Sequence, residues 1–321
     1  MPPDDALVKN AGDWRIIGEP LEQPGFAVTQ NISGASELFQ CLQSPPFNDE
    51  RWAFRGHSKL SWRLQPTIER LANEQHISPH VERYVEREFK RRAHHYLSDL
   101  PRDDDDLEWI ALMQHHGAPT RLLDWTRSAY VAAFFAAESA DLVDPKPTPL
   151  ASPKKSEPFV MWAVDWENLR SEALYMLGLS APDCDKNLSS RENFRKIYRD
   201  EQPEGLYLTA PVQPYRMNER LTIQQGLFLC PNHPLIGFER SLKSLLHCAN
   251  KRSGTNVRSL YKLIIEPSAR LDVLGMLNKM NINSATLYPG LDGFARSLRT
   301  STELLSLKDW YKGVLSDFID T

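Results

Sequence analysis

One short stretch limits the possible folds more than any other: SAYVAAFFAAE, residues 128–138, is apolar on nearly every side of the helix that it predicts. A helix without a polar face is buried in a core rather than laid on a surface. We therefore expect strands and helices to pack around it. The stretch that follows, residues 139–157, is rich in Pro, Ser and Lys, cannot build a core, and is predicted to be an exposed insertion.

The elements around this helix favour a single α+β domain with a mixed β core flanked by helices. Apolar spacing predicts further helices at 31–43, 80–100, 103–117 and 271–280, and strands that end at Arg55 or span 159–166, 227–230, 259–267 and 284–289. The helix at 80–100 has its apolar residues on one face, so its charged face is expected in solvent. We divide the chain into an N-terminal extension (1–30), a domain (31–298) and a C-terminal helical tail (299–321).

Charge and cysteine content argue against several classes of protein. The formal net charge is −4, whereas nucleic-acid-binding proteins usually carry an excess of positive charge. If a nucleic acid binds, the basic run FKRRAHH at 89–95 is the best place for it. The four cysteines form no CxxC pair, so a zinc ribbon or a disulfide framework is not expected. No apolar run approaches the ~20 residues of a membrane span, and the start of the chain lacks a signal pattern. We expect a cytoplasmic protein without a membrane partner.

The segment FRGHS, which begins at Phe54, is the first with a chemical signature. Arginine cannot lose its charge, so Arg55 at the end of a strand requires an anionic or strongly polar partner. Gly56 would let the backbone approach a bulky ligand while the guanidinium binds its phosphate or ribose. A structural ion pair between Arg55 and a carboxylate is the alternative.

The block HHGAPTRLLDWT, residues 115–126, is the second such segment, and it leads into the apolar helix. Polar residues at the mouth of a buried helix indicate a pocket, with Thr126 at or near the helix cap, where free backbone N–H groups could meet an anion. In the alternative, Asp124 pairs with Arg121 or Arg127 and Thr126 only caps the helix.

The third segment, RMNERLTIQQGLFLC at 216–230, places Gln224 and Gln225 before Gly226 at the entry of a strand. Their amides would read a ribose or a base edge, or would hydrogen-bond to backbone. No metal site is predicted, because His115 and His116 are adjacent on a helix end, point in different directions, and lack HExxH spacing.

Taken together, these segments resemble the FRG domain family, named for its Phe-Arg-Gly triplet. The resemblance rests on FRGHS, on HHGAPTRLLDWT with its AxxAAFFA helix, on QQGLF, and on the closing KLIIEPSARLDVLGMLNKMNINSATLYPGLDGFA. It runs from about residue 31 to about residue 298 in the order of the family. The family occurs mostly in bacteria and their mobile elements, and its name does not define a reaction.

A second resemblance is to mono-ADP-ribosyltransferases. In that superfamily a strand Arg or His followed by Gly binds NAD, a Ser/Thr motif ahead of a helix braces the site, and a late Glu or Gln orients the acceptor. Arg55, Thr126 and then Gln224 or Gln225 follow this order. A neutral amide stabilises a positive ribose less well than a carboxylate does, so the glutamines depart from the best chemistry unless Glu219 or Glu239 reaches the site.

The two resemblances imply an ADP-ribosyltransferase-like fold with NAD as cofactor, an acceptor protein or nucleic acid as partner, and a role as a toxin or phage-defence effector. The residues predicted to be catalytic are Arg55, Thr126, Gln224 and Gln225. Those predicted to bind the ligand are Phe54, Gly56, His57, His115, His116, Arg121, Asp124, Trp125 and Gly226. The alternatives are a non-catalytic nucleotide-sensing or nucleic-acid-binding module and, third, a nuclease.

Overall fold

The computed structural model describes residues 27–75, 81–141, 156–199, 206–233, 236–254 and 258–305. The strands are β1 (Val28–Ile32), β2 (Trp52–His57), β3 (Leu123–Thr126), β4 (Phe159–Asp165), β5 (Thr209–Val212), β6 (Gly226–Pro231) and β7 (Leu260–Ile265). The helices are α1 (Ala35–Leu42), α2 (Thr67–Gln75), α3 (Val81–Ala93), α4 (Asp106–His115), α5 (Ala129–Glu138), α6 (Trp166–Met176), α7 (Arg191–Tyr198), α8 (Glu219–Ile223), α9 (Phe238–Ser253), α10 (Arg270–Lys279), α11 (Ser284–Leu287) and α12 (Leu291–Leu305).

The seven strands form one mixed sheet in the order β1-β7-β4-β2-β3-β6-β5. The pair β1–β7 is parallel, and the other neighbouring strands are antiparallel. Helices α1, α5 and α10 pack on one face of the sheet, and α6 and α9 on the other. This arrangement confirms the predicted α+β domain with a mixed β core.

Strand β4 contributes to the cores on both faces of the sheet. Its residues Phe159, Met161 and Ala163 join the core with α5, whereas Val160 and Trp162 join the opposite core. A strand that is buried on both faces has a nearly continuous apolar sequence, which explains why FVMWAVDW predicts it so clearly.

The apolar helix α5 is buried as predicted, and it lies very close to β2. A Cβ atom at Gly56 would be 2.3 Å from the Ala132 carbonyl oxygen and 2.4 Å from the Ala136 backbone nitrogen. The glycine is therefore required for helix packing, a role that the sequence did not indicate; its predicted role beside a ligand stays a prediction. The helix begins after Ser128, whose hydroxyl accepts a hydrogen bond from the Val131 N–H at 3.3 Å, so the cap is Ser128 and not Thr126.

Helix α3 keeps its arginines Arg87, Arg91 and Arg92 in solvent as predicted, but two of its glutamates are not exposed. Its residues Glu82 and Glu86 are buried, whereas Tyr84 is 57% exposed. Tyr96, which follows the end of the helix, is 83% exposed. Glu82 accepts a hydrogen bond from Arg121 Nε at 2.7 Å, so its charge has a partner. Buried carboxylates are tolerated when they are paired in this way, and apolar spacing alone cannot reveal the pairing.

Two further sequence predictions differ from the structure. The predicted strand at 284–289 is wrong, because Ser284–Leu287 form α11, held by a capping box between Asn283 and Thr286. The helix predicted at 31–43 begins only at Ala35, and the residues before it form β1. Strand β1 pairs in parallel with β7, a partner more than 200 residues away that local spacing cannot identify.

Parts of the predicted domain division lie outside the described residues. These parts are most of the N-terminal extension (1–26), most of the insertion (142–155) and the end of the C-terminal tail (306–321). Helix α12 continues through residue 298, where the domain was predicted to end. Among the helices in the described ranges, none combines the length and the apolar character needed to span a lipid bilayer.

Replacing Gly56 by alanine is expected to destabilise the protein by at least about 2 kcal/mol, because the added methyl group meets backbone atoms of α5 that cannot rotate away. Urea unfolding measures the loss. Gly34→Ala is the matched control, since a Cβ atom there meets nothing within 4 Å and the backbone is extended. The control is expected to lose less than about 1 kcal/mol. Equal losses in the two variants would contradict the close packing of α5 on β2.

Candidate functional site

A cavity of about 250 Å³ lies where the pairing of β2 and β3 is interrupted. These two strands pair at one position only, Phe54 with Thr126. Beyond that pair, Arg55 and Gly56 still pair with β4 and Asp124 with β6, but the two strands do not pair with each other, and these three residues line the cavity. The break in the sheet thus provides space for a ligand between two central strands.

Arg55 is the charged group at this break. Its Nε donates a hydrogen bond to Nε2 of His57 at 3.1 Å, and its Nη1 donates to the backbone carbonyl oxygen of Asp124 at 2.5 Å. Among the described residues, no carboxylate oxygen lies within 4 Å of the guanidinium. Burial lowers the pKa of Arg55, but an arginine side chain remains charged in a protein. The cavity therefore contains a positive charge that no short ion pair neutralises.

His57 hydrogen-bonds to Arg55 but does not itself line the cavity. Burial, and after it the positive charge of Arg55, lowers the pKa of His57 to about 3. The imidazole is therefore neutral near pH 7, and its Nε2 accepts the hydrogen bond from Arg55. A neutral acceptor at this position fixes the guanidinium without cancelling its charge.

Asp124 provides a carboxylate at the same cavity. The residue is exposed, and its Oδ2 accepts a hydrogen bond from Gln114 Nε2 at 3.0 Å. The hydroxyl of Thr120 donates to Gln114 Oε1 at 2.6 Å, which fixes the amide so that its NH₂ group points to Asp124. Arg121 pairs with Glu82 and not with Asp124, so that ion-pair alternative is not the arrangement found.

The threonine and the two glutamines join β3 to the turn before β6. Thr126 Oγ1 donates to the Gln224 carbonyl oxygen at 2.6 Å. The Gln224 amide donates to the Leu287 carbonyl oxygen at 2.9 Å, in agreement with the backbone alternative. Gln225 has a positive φ of 49° and is exposed in the turn. These hydrogen bonds fix Thr126 and Gln224, which line one side of the cavity.

Most of the predicted site residues come together at this cavity. The lining includes Phe54, Arg55, Gly56, His115, Asp124, Trp125, Thr126, Gln224 and Gly226. The other four lie elsewhere: His57 behind Arg55, Gln225 in the turn, Arg121 in the core beside Glu82, and His116 at a separate apolar surface on α3.

Several lining residues were not identified from the sequence. Three separate segments bring further side chains to the cavity: Gln114, Asn218 with Arg220, and Tyr288. Arg220 and Asn218 lie in the RMNER run that precedes the two glutamines, but Tyr288 was assigned to a strand and carried no signal. Of the two glutamates kept as alternatives, Glu239 pairs with Arg63 at 2.8 Å and does not line the cavity, whereas Glu219 lines an adjoining one.

In the described ranges, no three or more His, Cys, Asp or Glu residues lie close enough together to hold a metal ion. The polar groups at the cavity are instead two guanidiniums, a carboxylate, an imidazole, side-chain amides and hydroxyl groups. This set is suited to bind an anionic organic ligand through hydrogen bonds and charge.

The buried, neutral state of His57 predicts a pH effect. Below about pH 6.5 the unfolded chain binds a proton at His57 that the folded chain takes up only near pH 3, so this residue lowers the free energy of unfolding by about 2 kcal/mol between pH 7 and 5. His57→Gln keeps an acceptor for Arg55 but does not titrate. The variant is therefore expected to gain about 2 kcal/mol relative to wild type over this interval, as measured by urea unfolding.

Glu69→Gln is the control variant, because the pH dependence of stability that Glu69 contributes has the opposite sign from that of His57. Glu69 accepts a hydrogen bond from the Phe238 N–H at 2.8 Å, and burial raises its pKa to about 7. Between about pH 4.5 and 7 the folded chain holds a proton on Glu69 that the unfolded chain releases, so wild type gains stability as the pH falls and Glu69→Gln does not. A His57→Gln variant with the pH dependence of wild type would show that His57 is not held neutral.

One of the comparisons with known proteins gives a match, which covers part of the chain. The family model of the FRG domain matches residues 50–144, a range that contains Arg55, His115 and Asp124. The segments with Arg220, Gln224 and Tyr288 lie outside the matched range. No curated protein and no solved structure matches the chain.

Proposed function

Because this chain carries an FRG domain, we propose that the domain binds NAD at the β2–β3 break and cleaves the bond between the ribose and nicotinamide. One observation carries the proposal: the Arg55 guanidinium lies in a cavity with no carboxylate within 4 Å among the described residues. A protein that places an unneutralised charge in a cavity leaves it available to an anionic ligand.

The hydrogen bonds of Arg55 favour a phosphate as that anion. His57 and the Asp124 carbonyl use the Nε–H and one Nη1–H, which leaves the second Nη1–H and both Nη2–H bonds for a ligand. These remaining donors lie in the guanidinium plane, and a pair of them suits two phosphate oxygens at once. The aromatic rings of Phe135, Trp125 and Tyr288 also line the cavity and offer apolar surface to a base or to nicotinamide.

The carboxylate of Asp124 would serve the chemical step. When the ribose C1′–N bond breaks, its electron pair leaves with nicotinamide and positive charge develops on the ribose. A carboxylate at this point stabilises that charge and takes over the role for which the neutral glutamines are poorly suited. Water, or a nucleophile of an acceptor, then adds to C1′ and releases a proton to Asp124. With water, the products are nicotinamide, ADP-ribose and a proton.

Such a reaction would consume NAD or modify an acceptor, which is the chemistry proposed for a toxin or phage-defence effector. The second candidate is a nucleotide sensor that binds without turnover. It is favoured by one observation: the Gln224 amide donates to the Leu287 carbonyl oxygen, so one of the two glutamines that match the late catalytic position of the transferases has a structural hydrogen bond instead.

Arg55→Met is expected to weaken NAD binding by 10- to 100-fold, because a hydrogen-bonded charge contributes about 1.5–3 kcal/mol. Asp124→Asn is expected to retain NAD affinity within about threefold and to lower nicotinamide release by about 100-fold. Calorimetric titration gives the affinity, and chromatography of the reaction mixture gives the released nicotinamide.

Arg91→Met is the control, since Arg91 is an exposed arginine on α3 whose charge is paired with Glu88. This variant is expected to bind and cleave NAD like wild type. Equal NAD affinity in Arg55→Met and Arg91→Met would refute the proposed site. Arg55-dependent binding without nicotinamide release would favour the sensor.

A further inference from the structure

A second cavity adjoins the one at the β2–β3 break. Its volume is about 470 Å³, and it shares His115, Asn218, Arg220 and Tyr288 with the first. The first cavity, at about 250 Å³, is below the range of about 300–1,000 Å³ that is usual for sites enclosing a drug-sized ligand. A ligand as long as a dinucleotide would therefore have to extend into the second cavity.

Tyr288 lies at the junction of the two cavities. Two guanidinium groups, one from each of two helices, contact its ring. The Arg220 guanidinium carbon, on α8, and the Arg296 guanidinium carbon, on α12, each lie 4.9 Å from the ring centroid. Neither arginine has a carboxylate oxygen within 4 Å in the part of the chain that the structure describes. These cation–π contacts orient both side chains while their charges remain available.

The acidic residues of the second cavity do not neutralise these arginines through short contacts. Glu219 and Asp292 line it, and both are exposed. Each lies in the first turn of its helix, where a negative charge interacts favourably with the helix dipole. The second cavity thus combines two guanidiniums, held by one aromatic ring, with acceptors that suit ribose hydroxyl groups.

We propose that the two cavities form one continuous site for a dinucleotide joined by a pyrophosphate. The half with nicotinamide lies at Arg55 and Asp124, and the distal phosphate with its nucleoside lies beyond Tyr288, where Arg220 and Arg296 bind it. This inference rests on the proposed function for the orientation of the ligand. It adds the substrate class: the site selects a dinucleotide over a mononucleotide, and Arg296 is the residue that distinguishes them.

The test compares NAD with nicotinamide mononucleotide and AMP, by calorimetric titration of the full chain. Arg296→Met is expected to weaken NAD binding by about 10-fold and to leave the affinity for nicotinamide mononucleotide unchanged within twofold, because that half does not reach Arg296. It is expected to weaken AMP binding. Arg299→Met is the matched control, since Arg299 lies on the same helix, is strongly exposed and is 3.7 Å from Glu303. It is expected to leave all three affinities unchanged.

The outcomes separate this inference from the proposed function. Arg55→Met is expected to weaken both NAD and nicotinamide mononucleotide. If it does so while Arg296→Met leaves NAD binding intact, the extended site is refuted and the function at Arg55 stands. If Arg296→Met weakens nicotinamide mononucleotide as much as NAD, the division into two halves is refuted. If Arg55→Met changes neither affinity, the proposed function fails, whatever the effect at Arg296.

Discussion

The close packing of α5 on β2 is the constraint on which the rest of the structure depends. The helix meets the strand where Gly56 has no side chain, and a Cβ atom would overlap with helix backbone. Because side chains alternate along a strand, the neighbouring Arg55 and His57 point to the other face of the sheet. The apolar helix thus sets the position of β2, and β2 carries the guanidinium to the break beside β3.

The arginine side chains of Arg121 and Arg55 have two distinct roles in the structure. Arg121 and Glu82 are buried together and satisfy each other, so they join α3 to the segment before β3 and offer nothing to a ligand. Arg55 is held by a neutral imidazole and by a carbonyl oxygen, which orient the guanidinium without neutralising it. The two arginines carry the same charge, yet one stabilises the fold and the other supplies charge to a cavity.

Local sequence predicted the elements with strong patterns. The apolar runs at α5 and β4 are correct because a segment buried on all sides needs no partner to be recognised. The pattern located α3 but missed the burial of Glu82 and Glu86, and it was wrong at Ser284–Leu287, where a capping box overrides the strand propensity. The candidate site was likewise predicted only in part: the sequence indicated Arg55 and Asp124 as site residues but did not indicate Tyr288.

The amino-acid sequence alone determined the fold class, the buried helix and the segments that carry polar chemistry, because spacing and residue type act over short distances. Only the tertiary structure decided which polar residue faces which partner. Arg55 meets the Asp124 carbonyl across 69 positions of the chain, and the Gln224 amide meets Leu287 across 63. Such contacts depend on strand order and helix packing, so whether an arginine binds a ligand or a buried glutamate is settled only when distant segments are brought together.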